Sequence, residues 1–494
     1  MRLFNLKYSL FLSILFCTLS IHAQDESYQK QTANVEAFFA AYNAQNYRAM
    51  KKTWGFLGKL IVSKNRMRKE FKPTFEKYGK ATIDTIVFNS IYGCEVKLSM
   101  EKDPTKRHFM SFIFNDKAKF QGLGSGYPML IYKEVRPIKT LDPIPFGDSI
   151  TALIEKNYRK GSKPFNGVVA VLEKGEIVYH KEYGVAKMDS SEMINDSTVF
   201  ELASVSKQFT AYAILMLVEE GKLSLEDSLR KFFPELPYSG ITIHHLLTHS
   251  SGLPSYEDRL GKYWDHSKIA GNKDVIAMLA EHKPAVLFQP GERYSYCNTA
   301  FVLLASIIEE STQTTFQRAM DSMIFEPLGM QNTRVYNTRR TGELLNNYAF
   351  GYVYDSKTKS YILPDSSKDH RYVVYLDRIS GDGTVNSNIH DLAIWEKELL
   401  HPTLLKPETQ SLAFKNHTLN DGKKGNYGYG FFIMEGNGIE RVLYHTGGWP
   451  GYHLMYLRLP DMERSILILN NTEYGRFSFL TDEIAVRITE RSVD

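Results

Sequence analysis

The sequence predicts an α+β protein in which a small α+β domain precedes a larger domain that combines an antiparallel sheet with a helical lobe. Three observations support this prediction. The chain has 494 residues, of which 43% are hydrophobic and 23% charged, a globular composition in a chain longer than one ordinary domain. A proline-bearing stretch at residues 137–149 separates two parts of opposite net charge. In the second part, strand patterns occur at both ends and helical patterns in the middle.

Residues 1–23 have the layout of a secretory signal peptide. Arg2 and Lys7 accompany an apolar stretch over residues 10–21, and Ala23 stands at a cleavage site of the expected kind. We therefore expect a secreted or periplasmic protein whose mature chain begins after Ala23. No later stretch stays apolar for the roughly 18 residues that a membrane-spanning helix needs, so we expect no transmembrane segment.

The three cysteines argue against a disulfide scaffold. Cys17 lies in the predicted signal peptide, where Phe16 occupies a position at which a lipoprotein signal needs a small residue. Cys94 and Cys297 are too few for a disulfide framework and lack the paired spacing of a zinc site. We therefore expect the fold to depend on its hydrophobic core.

The mature chain divides into a first domain at residues 24–136, a linker at 137–149 and a second domain at 150–494. The first domain contains 20 basic and 11 acidic residues, whereas the rest of the mature chain contains 38 and 45. This surplus positive charge could bind anionic cell-wall polymers or could be an ordinary solvated, lysine-rich surface. We expect no nucleic-acid partner, and the sequence leaves the oligomeric state open.

The first domain begins with helices and continues with strands. Val35, Phe38, Phe39 and Tyr42 recur at i, i+3, i+4 and i+7, which is the spacing of one buried helix face. Segments rich in β-branched and aromatic residues predict four strands: Ile83–Phe88, Gly93–Met100, His108–Phe114 and Met129–Val135. In length and order, this domain resembles the cone-shaped nuclear transport factor 2-like and cystatin-like modules.

The second domain is predicted to be one sheet with an inserted helical lobe. A strand hairpin at residues 167–172 and 176–183 comes first, and strands return over residues 429–470 after a long helical middle. The outer strands of the sheet would therefore lie far apart in sequence. A groove between lobe and sheet is where we expect a functional site.

Five Ser-x-x-Lys pairs occur in the chain, a spacing that places an amine one helical turn after a serine hydroxyl. Context separates Ser204 and Lys207 from the others, because they open a strongly apolar helical segment whose N-terminus should be fixed in the core. Free N–H groups and the positive dipole end at that start would favour an oxyanion beside Ser204. Taken alone, such a pair would more often be a helix cap and a surface lysine.

A single Tyr-x-Asn, formed by Tyr296 and Asn298, lies between a turn and a helix predicted at residues 299–310. A phenol needs a nearby cation to lose its proton near neutral pH, and Lys207 is the obvious candidate. Asn298 offers an amide that could orient this lysine or a substrate carbonyl. A core tyrosine and a turn asparagine are the alternative interpretation.

Near the C-terminus, a strand predicted at residues 439–444 has its partner at residues 452–459. The first strand runs straight into a potential cation, a hydroxyl and two glycines: His445, Thr446, Gly447 and Gly448. Such a strand edge can line a groove and offer backbone N–H groups to a substrate. Taken alone, a hairpin turn with a surface histidine is about as good an interpretation.

Taken together and in this order, the three motifs resemble those of the serine β-lactamase and penicillin-binding-protein clan, most closely the branch of class C β-lactamases, D-alanyl-D-alanine carboxypeptidases and esterases. The resemblance covers residues 150–494 and implies the β-lactamase/transpeptidase-like fold. Further segments are similar to that branch: Leu202–Thr210, Leu246–Leu253, Pro290–Tyr296, Pro327–Met330, Gly381–Gly383 and Tyr427–Gly430.

The resemblance implies that Ser204 attacks a carbonyl and becomes acylated, while Lys207 and Tyr296 share the task of accepting its proton. Which of the two is the base stays open. Asn298 would hydrogen-bond Lys207 and the substrate amide, and the backbone N–H groups of Ser204 and Gly448 would form the oxyanion hole. Water would then release the acyl group, without a cofactor.

The resemblance also bears on metal binding. His245 and His249 lie four residues apart and could be drawn as zinc ligands. The branch uses this stretch structurally, so we expect no metal site.

The main departure from typical β-lactamases is His445, which replaces a lysine. A permanent cation for a substrate carboxylate is therefore missing, and we expect its replacement, an imidazole with a pKa of about 6.5, to lose charge between about pH 6 and 8. Our first hypothesis is an exported serine hydrolase acting on D-amino-acid peptides, amides or esters, with β-lactam and short-chain ester hydrolysis as alternatives within the same class. The second is a non-catalytic receptor that binds cell-wall fragments.

Overall fold

The computed structural model describes residues 29–54, 64–90, 93–114, 119–124, 146–158, 165–190, 192–337, 342–343, 345–436, 439–472, 480 and 484. The predicted signal peptide, residues 137–145 of the predicted linker and the predicted strand Met129–Val135 lie outside the described residues, whereas linker residues 146–149 are helical. The chain forms two compact units, Met1–Arg136 and Pro137–Asp494. Of the helices in the described part of the chain, none is long and apolar enough to cross a membrane.

In its described residues, the first unit combines three helices with a four-stranded antiparallel sheet in the order β1-β2-β3-β4. Its elements are α1 (residues 29–43), α2 (Tyr47–Lys52), α3 (Lys64–Tyr78), β1 (Ala81–Ser90), β2 (Gly93–Met100), β3 (Asp103–Phe114) and β4 (Phe120–Gly124).

The core of the first unit lies between helix α1 and the sheet. The four residues of the predicted apolar stripe, Val35, Phe38, Phe39 and Tyr42, are all buried. The rings of Phe38 and Phe112 meet edge to face with centroids 5.4 Å apart, which joins α1 to β3. Helices followed by a meander were predicted, and the resemblance to nuclear transport factor 2-like modules stays a prediction.

The second unit contains a six-stranded antiparallel sheet in the order β14-β15-β16-β17-β5-β6. Its strands are β5 (Gly167–Glu173), β6 (Glu176–Tyr183), β14 (Phe432–Gly436), β15 (Ile439–Trp449), β16 (Tyr452–Leu459) and β17 (Arg464–Asn470). Strand β17 is buried along its whole length and pairs with β5, with Ile466 opposite Val171. The sheet therefore unites segments almost 300 residues apart, as the sequence predicted.

In the described part of the second unit, the other helices and the short strands come between β6 and β14, except that one helix precedes β5 and residues 480 and 484, after β17, are also helical. The helices are α4 (Phe146–Tyr158), α5 (Lys207–Glu219), α6 (Leu229–Phe232), α7 (Ile243–Leu247), α8 (Tyr256–Tyr263), α9 (Asn272–His282), α10 (Asn298–Thr312), α11 (Phe316–Met320), α12 (Glu326–Leu328), α13 (Tyr372–Tyr375), α14 (Ile389–Leu400) and α15 (Pro407–Gln410). The short strands are β7 (Val185–Lys187), β8 (Glu192–Met193), β9 (Phe200–Glu201), β10 (Arg334–Val335), β11 (Val353–Asp355), β12 (Ser360–Ile362) and β13 (Val385–Ser387).

Helix α5 lies at the centre of this unit. It is apolar on nearly all sides, and ten of its thirteen residues are buried, which is the pattern of a core helix rather than a surface one. The ring of Phe209 packs on Trp395 of α14 with centroids 4.5 Å apart. Because α5 is enclosed in this way, its start has a fixed position, and the 3-10 turn directly before it, Ala203–Ser206, carries the candidate nucleophile.

Candidate active site

Ser204 lies in a short 3-10 turn, Ala203–Ser206, that leads directly into helix α5. Ala203 has a φ of +45°, a left-handed conformation that is unusual for a residue with a β-carbon. The turn is tied to strand β13, because Leu202 N–H donates to Val385 O at 2.8 Å and Val385 N–H donates to Ser206 Oγ at 3.0 Å. Ser204 itself is half-buried beside a cavity, so its hydroxyl is both fixed and reachable.

Lys207 places its amine against this serine. Its Nζ donates to Ser204 Oγ at 3.1 Å and to the carbonyl oxygen of Asp382 at 2.6 Å, and the side chain has no exposed surface. Burial lowers the pKa of Lys207 to about 8, although the charges of Asp382 and Glu257 partly oppose that effect. A substantial fraction of the amine is therefore neutral in mildly alkaline solution and able to accept a proton.

Asp382 is a site residue that the sequence did not assign a role. Its carboxylate is buried and accepts a hydrogen bond from Tyr256 Oη at 3.0 Å, while its carbonyl holds Lys207. Burial raises the pKa of Asp382 to about 6, and the nearby Lys207 opposes this rise. The carboxyl group is consequently ionised above neutral pH and adds negative charge beside the lysine.

Tyr296 precedes helix α10 and presents its ring to the lysine. Lys207 Nζ lies 5.0 Å from the ring centroid of Tyr296 and 5.5 Å from that of Phe301, within the range of cation–π contacts. On another side, the rings of Tyr296 and His249 have centroids 4.3 Å apart. The structure thus brings Tyr296 next to Lys207, two residues that are far apart in sequence.

Asn298 has a different partner from the expected one. Its side-chain amide donates to Glu257 Oε1 at 2.5 Å, and its Oδ1 is buried without a hydrogen-bond partner among the described residues. The expected hydrogen bond between Asn298 and Lys207 is therefore wrong: the Oδ1 that would accept from the lysine has no such partner, and the side-chain N–H donates to Glu257 of helix α8. An acceptor left open in this way can receive the N–H of a substrate amide.

His445 is not a group that gains and loses charge near neutral pH, contrary to the expectation from its sequence. It is 1% exposed in strand β15, its Nδ1 lies 2.7 Å from Thr446 O, and its Nε2 lies 2.9 Å from Tyr427 Oη. A carbonyl oxygen can only accept, so Nδ1 carries the proton and Nε2 accepts from the phenol. Burial lowers the pKa of His445 to about 3, and Lys207 contributes in the same direction. His445 is neutral throughout the physiological range.

The two glycines after Thr446 have different surroundings. A β-carbon on Gly447 would lie 2.5 Å from Leu202 O and 2.8 Å from Leu454 Cδ1, so only glycine lets β15 pass this close to the nucleophile's turn. A β-carbon on Gly448 would meet nothing within 4 Å. Gly448 is exposed and lines the same cavity as Ser204, which is the position expected of an oxyanion-hole residue.

Two adjoining cavities open at this place and share Asn298, Leu376, Gly448 and Trp449. The narrow one, about 60 Å³, contains Ser204, and the wide one, about 670 Å³, contains Tyr296 and Glu257. His445 lines neither of them.

The predicted site residues thus fall into two groups. Ser204, Lys207, Tyr296, Asn298 and Gly448 converge around the cavities. His445 and Gly447 are buried in strand β15 and do not line the cavities, and Thr446 between them is half-buried.

The two histidines considered as zinc ligands are engaged elsewhere. Thr242 N–H donates to His245 Nδ1 at 3.1 Å, and Cys297 N–H donates to His249 Nδ1 at 3.0 Å. In the described part of the chain, no group of three or more His, Cys, Asp and Glu side chains is arranged to hold a metal ion.

A serine fixed at the start of a buried helix, with a buried lysine of lowered pKa on its hydroxyl, defines a serine hydrolase of the Ser-x-x-Lys kind. The family model described as Beta-lactamase matches residues 154–490, so the chain belongs to the Beta-lactamase family.

Curated relatives agree with this assignment. Penicillin-binding protein 4* of Bacillus subtilis (strain 168) is 41% identical over 309 residues, which cover 63% of this chain and 68% of that protein. Protein flp of Staphylococcus aureus (strain COL) is 26% identical over 333 residues, which cover 65% of this chain and 62% of that protein.

Solved structures confirm the predicted β-lactamase/transpeptidase-like fold. The octameric penicillin-binding protein homologue from Pyrococcus abyssi is 25% identical, with a TM-score of 0.59, and the match covers 70% of this chain and 78% of that one. D-amino acid amidase from Ochrobactrum anthropi SV3 is 23% identical, with a TM-score of 0.57, over 70% of this chain and 97% of that one. The chain is therefore a serine hydrolase of this family.

Proposed function

We propose that this protein is an exported serine hydrolase that forms an acyl-enzyme on Ser204 and acts on D-amino-acid peptides, amides or esters. The observation that carries the proposal is the 3.1 Å contact between Lys207 Nζ and Ser204 Oγ in a buried site where the amine has a pKa of about 8. A neutral amine at this distance can take the serine proton as the hydroxyl attacks.

Acylation follows from this geometry. Ser204 Oγ forms a bond to the substrate carbonyl carbon while its proton moves to Lys207 Nζ. The N–H groups of Ser204 and Gly448 stabilise the oxyanion, and Asn298 Oδ1 accepts from the substrate amide. The carbonyl re-forms as the bond to the leaving amine or alcohol breaks, and the leaving group takes up the proton.

Deacylation reverses these roles with water as the nucleophile. Water adds to the ester carbonyl and gives its proton to the pair formed by Lys207 and Tyr296. The bond to Ser204 Oγ then breaks, and the serine recovers a proton from the same pair. Support for Lys207 as the base in acylation is its direct contact with Ser204, while Tyr296 faces the wide cavity from which water and leaving group exchange.

The charge of the cavities indicates which substrates fit. Their lining includes no lysine or arginine among the described residues but has five acidic ones: Glu201, Glu257, Asp258, Asp377 and Asp382. Such a surface disfavours a substrate carboxylate and favours a free ammonium group. Aromatic side chains of Tyr372, Tyr375 and Trp449 line the wide cavity and offer an apolar wall. We therefore place amino-acid amides and peptides with a free amine ahead of β-lactams, a class that agrees with the name of the amidase from Ochrobactrum anthropi.

A substrate panel tests this proposal. We expect D-alaninamide to be hydrolysed with a kcat/KM at least about tenfold above that of N-acetyl-D-alaninamide and of a chromogenic cephalosporin, since a charge-assisted hydrogen bond contributes about 1.5–3 kcal/mol. Glu257→Gln should reduce the preference for the free amine. Equal rates for the free and acetylated amides would contradict the assigned substrate class.

Intact-mass measurement tests the covalent step. An acyl adduct should form on the native protein and on Ser356→Ala, which alters another Ser-x-x-Lys serine, but not on Ser204→Ala. An adduct on Ser204→Ala would rule out the nucleophile. Export is tested separately, by secretion from a bacterial host with a mature N-terminus at Gln24.

A further inference from the structure

His249 connects the end of helix α7 to the catalytic tyrosine's segment. It follows the helix cap Thr248, is fully buried and has a φ of +54°, which places its side chain in the core. Its carbonyl accepts from Ser295 N–H at 2.8 Å, and its Nδ1 accepts from Cys297 N–H at 3.0 Å. His249 therefore holds the residue on each side of Tyr296.

The ring of His249 also contacts Tyr296 itself. The two rings have centroids 4.3 Å apart and planes 35° apart, and Tyr427 and Phe301 pack on the same imidazole at 4.6 and 5.1 Å. The backbone carbonyl, Nδ1 and ring of His249 thus make one contact each with Ser295, Cys297 and Tyr296. The Nε2 of His249 is buried without a hydrogen-bond partner among the described residues, so a hydrogen bond of Nε2 does not explain why the ring lies at this position.

We propose that His249 is a positioning residue that fixes the phenol of Tyr296 relative to Lys207. This inference rests on the proposed role of Tyr296 in proton transfer. Loss of the Nδ1 acceptor would leave the buried N–H of Cys297 unpaired and free the segment to move. A displacement of about 1 Å at a reacting group can lower the rate about a hundredfold.

The state of the imidazole agrees with this role. An Nδ1 that accepts a hydrogen bond requires the neutral ring with its proton on Nε2. Burial, together with the charge of Lys207, lowers the pKa of His249 well below its ordinary value. The hydrogen bond from Cys297 N–H to His249 Nδ1 is therefore retained across the working pH range.

His245 provides a matched control. Its Nδ1 also accepts a backbone hydrogen bond, from Thr242 N–H at 3.1 Å, and it lies in the capping box of the same helix. It makes no ring contact with Tyr296 among the contacts described. Substitutions of His245 should therefore lower stability without altering the chemical steps.

The experiment compares His249→Asn with His249→Gly, since both residues tolerate the left-handed backbone. The asparagine carbonyl can occupy the place of Nδ1, and glycine removes the acceptor. With a neutral short-chain ester, we expect kcat of the glycine variant to fall about a hundredfold and KM to change less than about threefold, while asparagine restores most of kcat. The same substitutions of His245 should leave kcat within about threefold of the native value.

The pH profile of kcat is the readout that a purely structural role would not move. The titratable groups around Tyr296 include Lys207, His249, His445 and Tyr427, which pack near its ring, and Tyr256, which interacts with it electrostatically. Displacing the phenol from Lys207 should shift the profile of His249→Gly and leave that of His249→Asn close to native. If the glycine variant does not fold, His249→Gln replaces it, because its carbonyl reaches the Nε2 position instead.

Native kcat and pH profile in a folded His249→Gly protein would overturn the proposal. So would an asparagine variant that folds and is as slow as the glycine variant. The rate of fluorophosphonate labelling of Ser204 is measured in parallel on every variant. If no ester or amide is hydrolysed by the native protein, the proposed function fails, and the labelling rates still test the effect of His249.

Discussion

Tyr427 Oη lies 2.9 Å from Nε2 of His445, the imidazole that replaces the lysine of most β-lactamases, and donates a hydrogen bond to it. Tyr427 is fully buried, so the phenol and the imidazole satisfy one another in the core behind strand β15. The expected loss of charge by His445 between about pH 6 and 8 is wrong, because burial lowers its pKa to about 3. His445 is therefore a neutral residue behind the cavity wall, and it does not supply a cation that could bind a substrate carboxylate.

The first prediction concerns stability and His445. The unfolded histidine has a pKa of about 6.5 and the folded one a pKa of about 3, so between these values the unfolded chain binds a proton that the native chain does not. Stability contributed by the neutral ring is thus present above about pH 6.5 and is lost as pH falls towards 3, by about 1.4 kcal/mol per unit.

Denaturant unfolding at pH 7.5 and 5.5 measures this effect. The unfolding free energy of the native protein should decrease from pH 7.5 to pH 5.5. In His445→Gln, this decrease should be smaller by about 1.4 kcal/mol. His401→Gln, at an exposed position, should behave as the native protein does. The same decrease in all three proteins would show that His445 does not titrate in this way.

The second prediction concerns the base. Because burial lowers the pKa of Lys207 to about 8, the neutral amine that accepts the serine proton becomes abundant only above that pH. The rate of Ser204 acylation by a neutral ester should therefore rise between pH 6 and 10 with a midpoint near 8.

Two substitutions check this assignment. Lys207→Ala and Lys207→Arg should both lower the acylation rate by about 10²–10⁴ and remove the midpoint, because arginine keeps its proton. If a midpoint near pH 8 persists in either variant, the titrating group is not Lys207, and Tyr296 would be the next candidate.

Much of this site could be predicted from sequence, because its chemistry lies in local motifs. Strands β2, β6 and β16 have the predicted bounds, and Ser204 opens a buried helix as its apolar surroundings indicated. Apolar residues that recur every two or every 3.6 positions indicate a strand or a helix with one buried side, and these segments show such a periodicity.

The remaining parts depend on tertiary contacts that no local pattern reveals. Glu257 reaches Asn298 from a helix 41 residues earlier, and Asp382 reaches Lys207 across 175 residues. Asp382 stood in a recognised Gly-Asp-Gly segment, which was the only sequence signal for it. The burial of His445 follows from Tyr427 and the neighbouring strands, so its exposure could not be judged from its own sequence.

The third prediction ranks two acidic residues by their effect on Lys207. The charge of Asp382 raises the pKa of the lysine most, followed by that of Glu257, in opposition to burial. Asp382→Asn should therefore move the midpoint of acylation to lower pH, and Glu257→Gln should move it less in the same direction. A shift of either midpoint to higher pH, or a larger shift from Glu257→Gln, would contradict this electrostatic order.

The last prediction separates the two glycines of strand β15. Gly447→Ala would place a β-carbon 2.5 Å from Leu202 O, which is backbone and cannot move aside without displacing the turn that holds Ser204. We expect overpacking to cost about 1–3 kcal/mol of unfolding free energy. The shift of β15 against the nucleophile should also lower kcat about a hundredfold.

Gly448→Ala is the matched control, because it adds the same methyl group where nothing lies within 4 Å. The stability of this variant should stay within about 0.5 kcal/mol of native. Denaturant unfolding of the two variants side by side checks this difference, and equal stability would mean that β15 does not pass the turn as closely as Gly447 implies.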